Sequence, residues 1–291
     1  MKFFENFDGS TLSWFRTGGK IKYFAIVDNI NELISIIEKY SSLKIITIGA
    51  GSNILIRDNG IDGLVIKLSG DFLQITINNN IKEGAKDVFV EIGAGALAKN
   101  LTTFAINNNL FGCEFLDTIP GTIGGVVSMN AGCFNREAKD ILYSVDILSN
   151  GKILTLMNND LHFSYRKSKI PNNAVILKAI FKLRKGNVEE IDSAKEQINI
   201  MRQHRKEKQI IGRTCGSTFV NPKGHKVWKL IDQVGMRGYK IGGARISDKH
   251  CNFIITENGA TSKDIEDLII LIKQKVLEKF GIKLKTEIRI I

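Results

Sequence analysis

The sequence predicts an α+β fold in two domains, and three observations carry that expectation. Apolar runs alternate with segments of helical spacing from residue 20 onward. A strand-like run from Val175 to Leu183 stops at Lys185-Gly186, and a long helical stripe follows it. The chain then closes with a capped helix and an alternating segment. A length of 291 residues suits two or three packed units at roughly 100–200 residues each. The break at Lys185-Gly186 sets the expected boundary: a first domain over 1–187, with lobes of about 1–69 and 70–187, and a second over 188–291.

In chain order, Tyr23 to Val27 is apolar, Ile30 to Tyr40 has helical spacing, and Lys44 to Ile48 is β-branched, together a βαβ-like lobe. Val88 to Ile92 reads as a strand and Ala96 to Asn107 as a short helix. Val145 to Leu156 reads as a hairpin turning at Asn150-Gly151, a pair that tolerates positive φ. Ile191, Ala194, Ile198 and Met201 step at helical spacing, so the second domain is expected to open with a long helix. In the last helix Thr261 and Asp264 form a capping box, Ile265, Leu268, Ile269, Ile272, Val276 and Phe280 make one stripe, and Gly281 sits at the C-cap. Ile282 to Ile291 alternates like a strand.

Composition excludes disordered and low-complexity classes, with 43% hydrophobic and 24% charged residues and 27 glycines against 3 prolines. The net charge of +11 favours anionic partners: nucleic acid, a membrane surface or phosphorylated small molecules. The densest basic cluster, Arg202 to Lys208, contains Glu207 and lies on the expected helix, where a solvated face is the plain alternative. Cys113, Cys133, Cys215 and Cys251 form no C-x-x-C pair, and no histidine stands at metal-ligand spacing. Free thiols in a reducing compartment and no metal are expected. No uninterrupted apolar run exceeds five residues, against about 20 needed to cross a bilayer. The opening MKFFENFDGS lacks the apolar core of a secretory signal, so a cytoplasmic enzyme is expected.

Two glycine-rich stretches point to a ligand. Lys44 to Asn53 runs from a strand into Gly49, Ala50, Gly51, Ser52 and Asn53, where exposed amides and short polar side chains suit a diphosphate. The third glycine and following helix of a dinucleotide fingerprint are missing, and a tight turn is the alternative. Thr118 to Gly125 and Asn130 to Gly132 form the second, with four glycines in the twelve positions from Gly121 to Gly132, suiting main chain laid against a flat ring, with a cluster of structural bulges as the alternative. Together they fit one long ligand with a diphosphate and a planar heterocycle, the shape of flavin adenine dinucleotide (FAD).

Three further segments carry candidate chemistry. Arg166 lies in Phe163 to Ser168, either as a site cation or as a surface charge. Ser217 lies in Cys215 to Pro222, with proton transfer and plain turn chemistry as its two readings; the segment shows no His/Asp partner for a nucleophile. Glu287 and Arg289 stand two apart on the expected last strand and so share a face, as an acid and an anion-binding cation or as an edge-strand ion pair.

In order, GAGSN, IPGTIGG with NAG, FSYRKS, CGSTFVNP and EIRII resemble the motif series of the UDP-N-acetylenolpyruvoylglucosamine reductase family, in its shorter second type. The resemblance extends to Ser13 to Gly19 and Ile241 to Phe253, so nearly the whole chain is covered. It implies a two-lobed FAD-binding domain of the vanillyl-alcohol-oxidase/PCMH type over 1–187 and a smaller α+β substrate-binding domain over 188–291. It implies non-covalent FAD, NADPH as co-substrate, and reduction of UDP-N-acetylglucosamine enolpyruvate to UDP-N-acetylmuramate for peptidoglycan, with hydride from flavin N5. Gly49, Ala50, Gly51, Ser52 and Asn53 would hold the diphosphate, and Pro120, Gly121, Thr122, Gly124 and Gly125 would line the flavin. Arg166, Ser217 as proton donor and Glu287 would be catalytic, with Asn221 and Arg289 on the substrate. Arg202 and Arg205 are candidates for steering or clamping its phosphates.

The chain departs from the family at Ile210, where proline usually follows the glutamine matched by Gln209, and at Thr256, where asparagine is usual. A related flavin oxidase of a sugar or lactone is the rival; many such relatives tether flavin through histidine, and His162, His204, His225 and His250 all lie outside the glycine stretches. A basic nucleic-acid-binding module leaves those stretches unexplained. The expected partners are therefore the UDP-sugar and NADPH, for a monomer with no nucleic acid and no membrane insertion.

Overall fold

The computed structural model of the chain describes residues 1–81, 83–207 and 210–291. Its contacts divide the chain into two units: Met1–Phe3, Ala25–Ala50 and Val65–Glu207 form one, and Phe4–Phe24, Gly51–Leu64 and Lys208–Ile291 the other. A four-stranded sheet takes the order β1 (Lys2–Asp8), β2 (Lys20–Val27), β5 (Ile61–Leu68), β3 (Lys44–Ile48). Between β2 and β3 runs α1 (Ile30–Lys39), capped by Asn29, whose side chain accepts from the Glu32 N–H at 3.0 Å.

The first unit is built on a six-stranded sheet. Its order is β12 (Lys152–Met157), β11 (Leu142–Ser149), β13 (Val175–Lys185), β7 (Asp87–Gly93), β6 (Ile75–Asn78), and β8 (Leu110–Phe111) also joins β13. The expected hairpin forms with Ser149 opposite Lys152, and Asn150 and Gly151 take φ of 49° and 72°, the left-handed pair a two-residue turn requires. Besides α1, the first unit holds α2 (Ala98–Asn107), α3 (Ile123–Ser128), α4 (Val188–Glu207) and the small hairpin of β9 (Gly132–Cys133) and β10 (Arg136–Glu137).

In the second unit α5 (Val227–Gln233), the antiparallel sheet β14 (Lys240–Ile241), β15 (Ala244–Ile246), β16 (Ile254–Thr256) and α6 (Ser262–Phe280) enclose one core. The α6 stripe buries Ile265, Leu268, Ile269, Ile272 and Val276 against Phe219, Val227 and Ile231. Its capping box closes as expected: Thr261 Oγ1 accepts from the Asp264 N–H at 3.1 Å, and Asp264 accepts from the Thr261 N–H at 3.0 Å. Asp58 adds a second cap, accepting from the N–H groups of Ser262 and Lys263 at 2.8 and 3.1 Å.

The structure differs from the sequence reading in two places. The packing division is not a single cut after residue 187, because α4, expected to open the second domain, packs on α2 and the 3₁₀ turn Glu114–Thr118 within the first unit. The closing segment is strand only at β17 (Arg289–Ile290), so Glu287 and Arg289 do not share a strand; Glu287 lies in a bend before it. Alternation alone cannot build a strand without a partner, and β17 pairs in parallel with β4 (Ile54–Leu55), which is only two residues long. Lys208, the end of the basic cluster, and Gln209 lie outside the described residues.

Candidate active site

In the first unit the two glycine-rich stretches meet. A β-carbon on Gly49, just past the end of β3, would strike Thr122 Oγ1, so a side chain at 49 would push the stretches apart. The second stretch is also fastened along its backbone. Gly121 O accepts from the Ala98 N–H at 3.0 Å, and the N–H groups of Ile123 and Gly124 donate to Ala96 O and Ala94 O, each at 2.9 Å. These bonds correct one expectation: the stretch is not laid open throughout but turns into α3 at Ile123. On α3 a Cβ at Gly124 would come within 3.3 Å of Ala94 O, whereas one at Gly125 would meet only Thr122 Oγ1 at 3.8 Å. Gly124 thus serves the fold, and exposed Gly125 keeps an open face beside Thr122.

The far end of α3 anchors the Arg166 loop. Ser168 Oγ donates to Ser128 O at 2.8 Å, and the Asn130 amide donates to Ser164 O at 3.1 Å and to Glu137 Oε2 at 3.0 Å. Asn130 is 0% exposed and its Oδ1 accepts from the Lys139 N–H at 3.0 Å, so this amide ties three segments. Arg166 itself takes a left-handed φ of 58°, donates to Gly132 O at 2.8 Å and lies 4.9 Å over the Tyr165 ring. It is half-buried.

In the second unit Ser217, Glu287 and Asn53 come together. Glu287 N–H donates to the carbonyl of Thr218, the residue after Ser217, at 2.8 Å, and Val220 N–H donates to Lys285 O at 3.0 Å. Asn53 Nδ2 donates to Glu287 O at 3.1 Å, and Arg289 N–H donates to Asn53 O at 3.0 Å. The end of the GAGSN stretch is therefore sewn to the segment carrying Glu287 and Arg289. Ser217 and Glu287 are half-buried, and Arg289 is exposed. Asn221 accepts from the Val227 N–H at 2.9 Å and so holds the start of α5. Gly51 follows a φ of 71° and leaves no room for a β-carbon against Leu12 O. Ser52, like Ala50 in the first unit, is half-buried, and Pro120 is exposed.

The remaining candidates separate. Arg202 is engaged bidentately by Asp117, whose side chain is 5% exposed, both bonds at 2.7 Å, which raises the arginine's pKa; Arg205 is exposed further along α4. All four cysteines are free. Burial pushes the thiols of Cys113 and Cys215 up and that of Cys251 to about 11, so none of these three is a ready thiolate at neutral pH.

FAD fits this set of residues. In the first unit Gly125 leaves room for a ring to approach the main chain beside Thr122, as a flat heterocycle needs. Three residues that position the site escaped sequence reasoning. Asn130 stood in the quoted NAG and Asn252 in the quoted Ile241 to Phe253, and their signal was an asparagine inside an apolar or glycine-rich setting. Thr256, noted only as a departure, is buried and donates to Phe15 O at 2.6 Å, fastening the Ser13 to Gly19 segment.

Residues 21–157 match the family model "FAD binding domain", and 205–291 match "UDP-N-acetylenolpyruvoylglucosamine reductase, C-terminal domain". The UDP-N-acetylenolpyruvoylglucosamine reductase of Rickettsia massiliae is 44% identical over 280 residues, 96% of this chain and 92% of that protein. Its counterpart in Rickettsia bellii is 43% identical, covering 96% and 90%. The crystal structure of the UDP-N-acetylenolpyruvylglucosamine reductase of Thermus caldophilus superimposes with a TM-score of 0.81 at 29% identity, over 99% of this chain and 98% of that one. With its α+β fold, its paired glycine stretches and agreement over nearly its full length, the chain is an FAD-dependent oxidoreductase and belongs to the UDP-N-acetylenolpyruvoylglucosamine reductase family.

Proposed function

We propose that this chain reduces UDP-N-acetylglucosamine enolpyruvate to UDP-N-acetylmuramate with NADPH, supplying peptidoglycan synthesis, and that Arg166, Ser217 and Glu287 are its catalytic residues. The observation that carries the reading is the 2.8 Å bond from Glu287 N–H to Thr218 O, which sets the proposed acid beside the residue following the proposed proton donor. FAD, held by the glycine-rich stretches, would supply hydride transfer between NADPH and the enolpyruvyl ether. Ser217 gives a proton to the inner vinyl carbon and regains one from solvent, so one hydride and one proton add across the double bond. A serine is a poor acid in water, and this transfer depends on a positioned, desolvated hydroxyl. Arg166, its guanidinium fixed on Gly132 O, stabilises the negative charge that develops beside the substrate carboxylate, and Glu287 acts on the same charge.

The FAD-binding role belongs to 1–187 in this reading, with Gly49 to Asn53 on the diphosphate and Pro120 to Gly125 along the flavin. The substrate role belongs to 188–291, with Asn221 and Arg289 as contacts. Of the two candidate steering arginines, Arg205, exposed near the end of α4, is the better supported, since Arg202 already serves Asp117. We further expect a cytoplasmic monomer without a nucleic-acid partner; no described helix is long and apolar enough to cross a membrane.

The test is anaerobic and has two stages. NADPH should bleach the purified yellow protein, and the enolpyruvyl UDP-sugar should restore its colour with release of UDP-N-acetylmuramate. Ser217→Ala should bleach at the wild-type rate and recolour about 100-fold more slowly, the smaller end of a general-acid contribution. Recolouring at the wild-type rate would remove Ser217 as donor. Bleaching by a sugar or lactone and not by NADPH would replace the whole reading with the oxidase.

A further inference from the structure

We propose that Asn252 is a positioning residue for Ser217, its side-chain amide continuing alongside Phe219 the pairing that the 247–253 loop begins opposite Ser217. The inference rests on the reading of Ser217 as proton donor. Asn252 is 4% exposed. Its Oδ1 accepts from the Phe219 N–H at 3.0 Å, its Nδ2 donates to Phe219 O at 2.9 Å, and its own carbonyl accepts from the Thr218 N–H at 2.8 Å. One residue thus makes three hydrogen bonds to the two residues that follow Ser217. Ser217 itself forms a bridge with Phe253, the next residue of the same loop.

The loop geometry explains why a side chain takes this role. Residues 247–253 fold back on themselves: Ser247 Oγ accepts from the N–H groups of Lys249 and His250 at 3.2 and 3.3 Å, His250 Nδ1 accepts from the Asn252 N–H at 3.2 Å, and Phe253 N–H donates to His250 O at 3.0 Å. With its backbone consumed in that turn, the loop cannot continue a ladder alongside Phe219, and the amide replaces the missing rung. A primary amide of this length offers one acceptor and one donor to the two backbone groups of Phe219, which an ionised carboxylate of the same length does not.

Ser217 needs such a clamp because of what precedes it. Gly216 has a left-handed φ of 78°, a conformation in which glycine keeps more backbone freedom than other residues. The bonds to Thr218 and Phe219 hold the chain on the other side of Ser217. Misplacing a reacting group by about 1 Å costs on the order of 100-fold in rate.

The experiment uses the holoenzyme of Asn252→Asp and Asn252→Ala, with Ser217→Ala alongside, in both half-reactions. An ionised aspartate gives Phe219 two acceptors and no donor, while its protonated form restores one of each. Asn252→Asp should bleach with NADPH at the wild-type rate, recolour about 10- to 100-fold more slowly at neutral pH with KM for the enolpyruvyl substrate nearly unchanged, and recover as pH falls. Wild-type protein over the same pH range reports the contributions of His250 and Glu287, the neighbouring titratable groups. Asn252→Ala should be slow at every pH. Variants that lose flavin, or whose bleaching slows as much as recolouring, would make Asn252 a structural residue and overturn the proposal, as would Asn252→Asp recolouring normally at neutral pH or staying slow at low pH. If Ser217→Ala recolours normally, the donor reading itself falls; if Ser217→Ala is slow and Asn252→Asp is not, only the role of Asn252 falls.

Discussion

The glycine stretches of the first unit and the Ser217 segment of the second both shape a site, but by opposite means. Around Gly49 and Thr122 the chain is held by what cannot be added, since a single methyl group would collide. Around Ser217 it is held by what is exchanged: Asn252, Glu287 and Lys285 bond the backbone of Thr218, Phe219 and Val220. Steric fit fails abruptly when violated, whereas hydrogen bonds can be removed singly and, in some cases, titrated. A residue type shared along a motif also hides different duties, because Gly49 and Gly124 answer to their own fold and Gly125 faces open space.

The largest expected effect tests that division. Gly49→Ala should cost about 3 kcal/mol, the upper end for overpacking, and should lose FAD with the fold. Gly49→Ala with Thr122→Ala should recover much of the loss, because the colliding Oγ1 is gone. Gly125→Ala should do the reverse. Its apoprotein should melt no lower than wild type, since alanine is the better helix former by roughly 1 kcal/mol, while FAD retention falls. Melting curves of apoprotein and flavin content after gel filtration decide it; equal behaviour of the two single variants would erase the distinction.

Next comes Asn130→Ala, which leaves Ser164 O and the Lys139 N–H without their buried partner and should cost about 2 kcal/mol. Recolouring by substrate should fall further than bleaching by NADPH, because the loop it releases carries Arg166. Equal losses in the two stages would reduce Asn130 to a stability residue.

These anchors also show why part of the site was illegible in the sequence. The Asn150-Gly151 hairpin and the Thr261–Asp264 cap were readable because each is decided within four residues. Arg166 finds Gly132 across 34 residues, and Asn252 finds Phe219 across 33, so no local pattern announces either bond. Glycines at 124 and 125 argue against a helix on propensity, yet bonds from Ile123 and Gly124 to Ala96 and Ala94 start one there. The alternation from Ile282 to Ile291 failed for the complementary reason, a correct local pattern with too short a partner. Motif order, by contrast, carried the family and its cofactor, since it survives whatever the backbone does between motifs.

A smaller effect belongs to Thr256. Thr256→Val keeps the shape but removes the donor to Phe15 O, and should cost about 1 kcal/mol. Thr256→Asn, the family's usual residue, keeps a donor and should cost less. Thermal melts order the three proteins, and a valine variant as stable as wild type would show that this bond adds nothing to the Ser13 to Gly19 segment.

The smallest effect is a titration, and only the polar region should show it. Burial pushes the Asp264 carboxyl up, but the backbone N–H groups of Thr261 and Gly243, with the Thr261 side chain and Lys263, outweigh it and hold the carboxyl below its ordinary 3.8. A group whose pKa is depressed by folding adds stability above its unfolded pKa and loses it as pH falls through the folded one. Asp264→Asn should therefore cost roughly 1 kcal/mol at pH 7, and the gap from wild type should close below about pH 4. Denaturant unfolding at a series of pH values measures it as a difference between two proteins, so carboxylates common to both cancel. The Gly49–Thr122 contact contains no titrating group, and the deficit of Gly49→Ala should stay constant over the same range. A gap that persists at low pH for Asp264→Asn would mean the cap works through shape, as the glycines do, and would dissolve the contrast between the two regions at that helix.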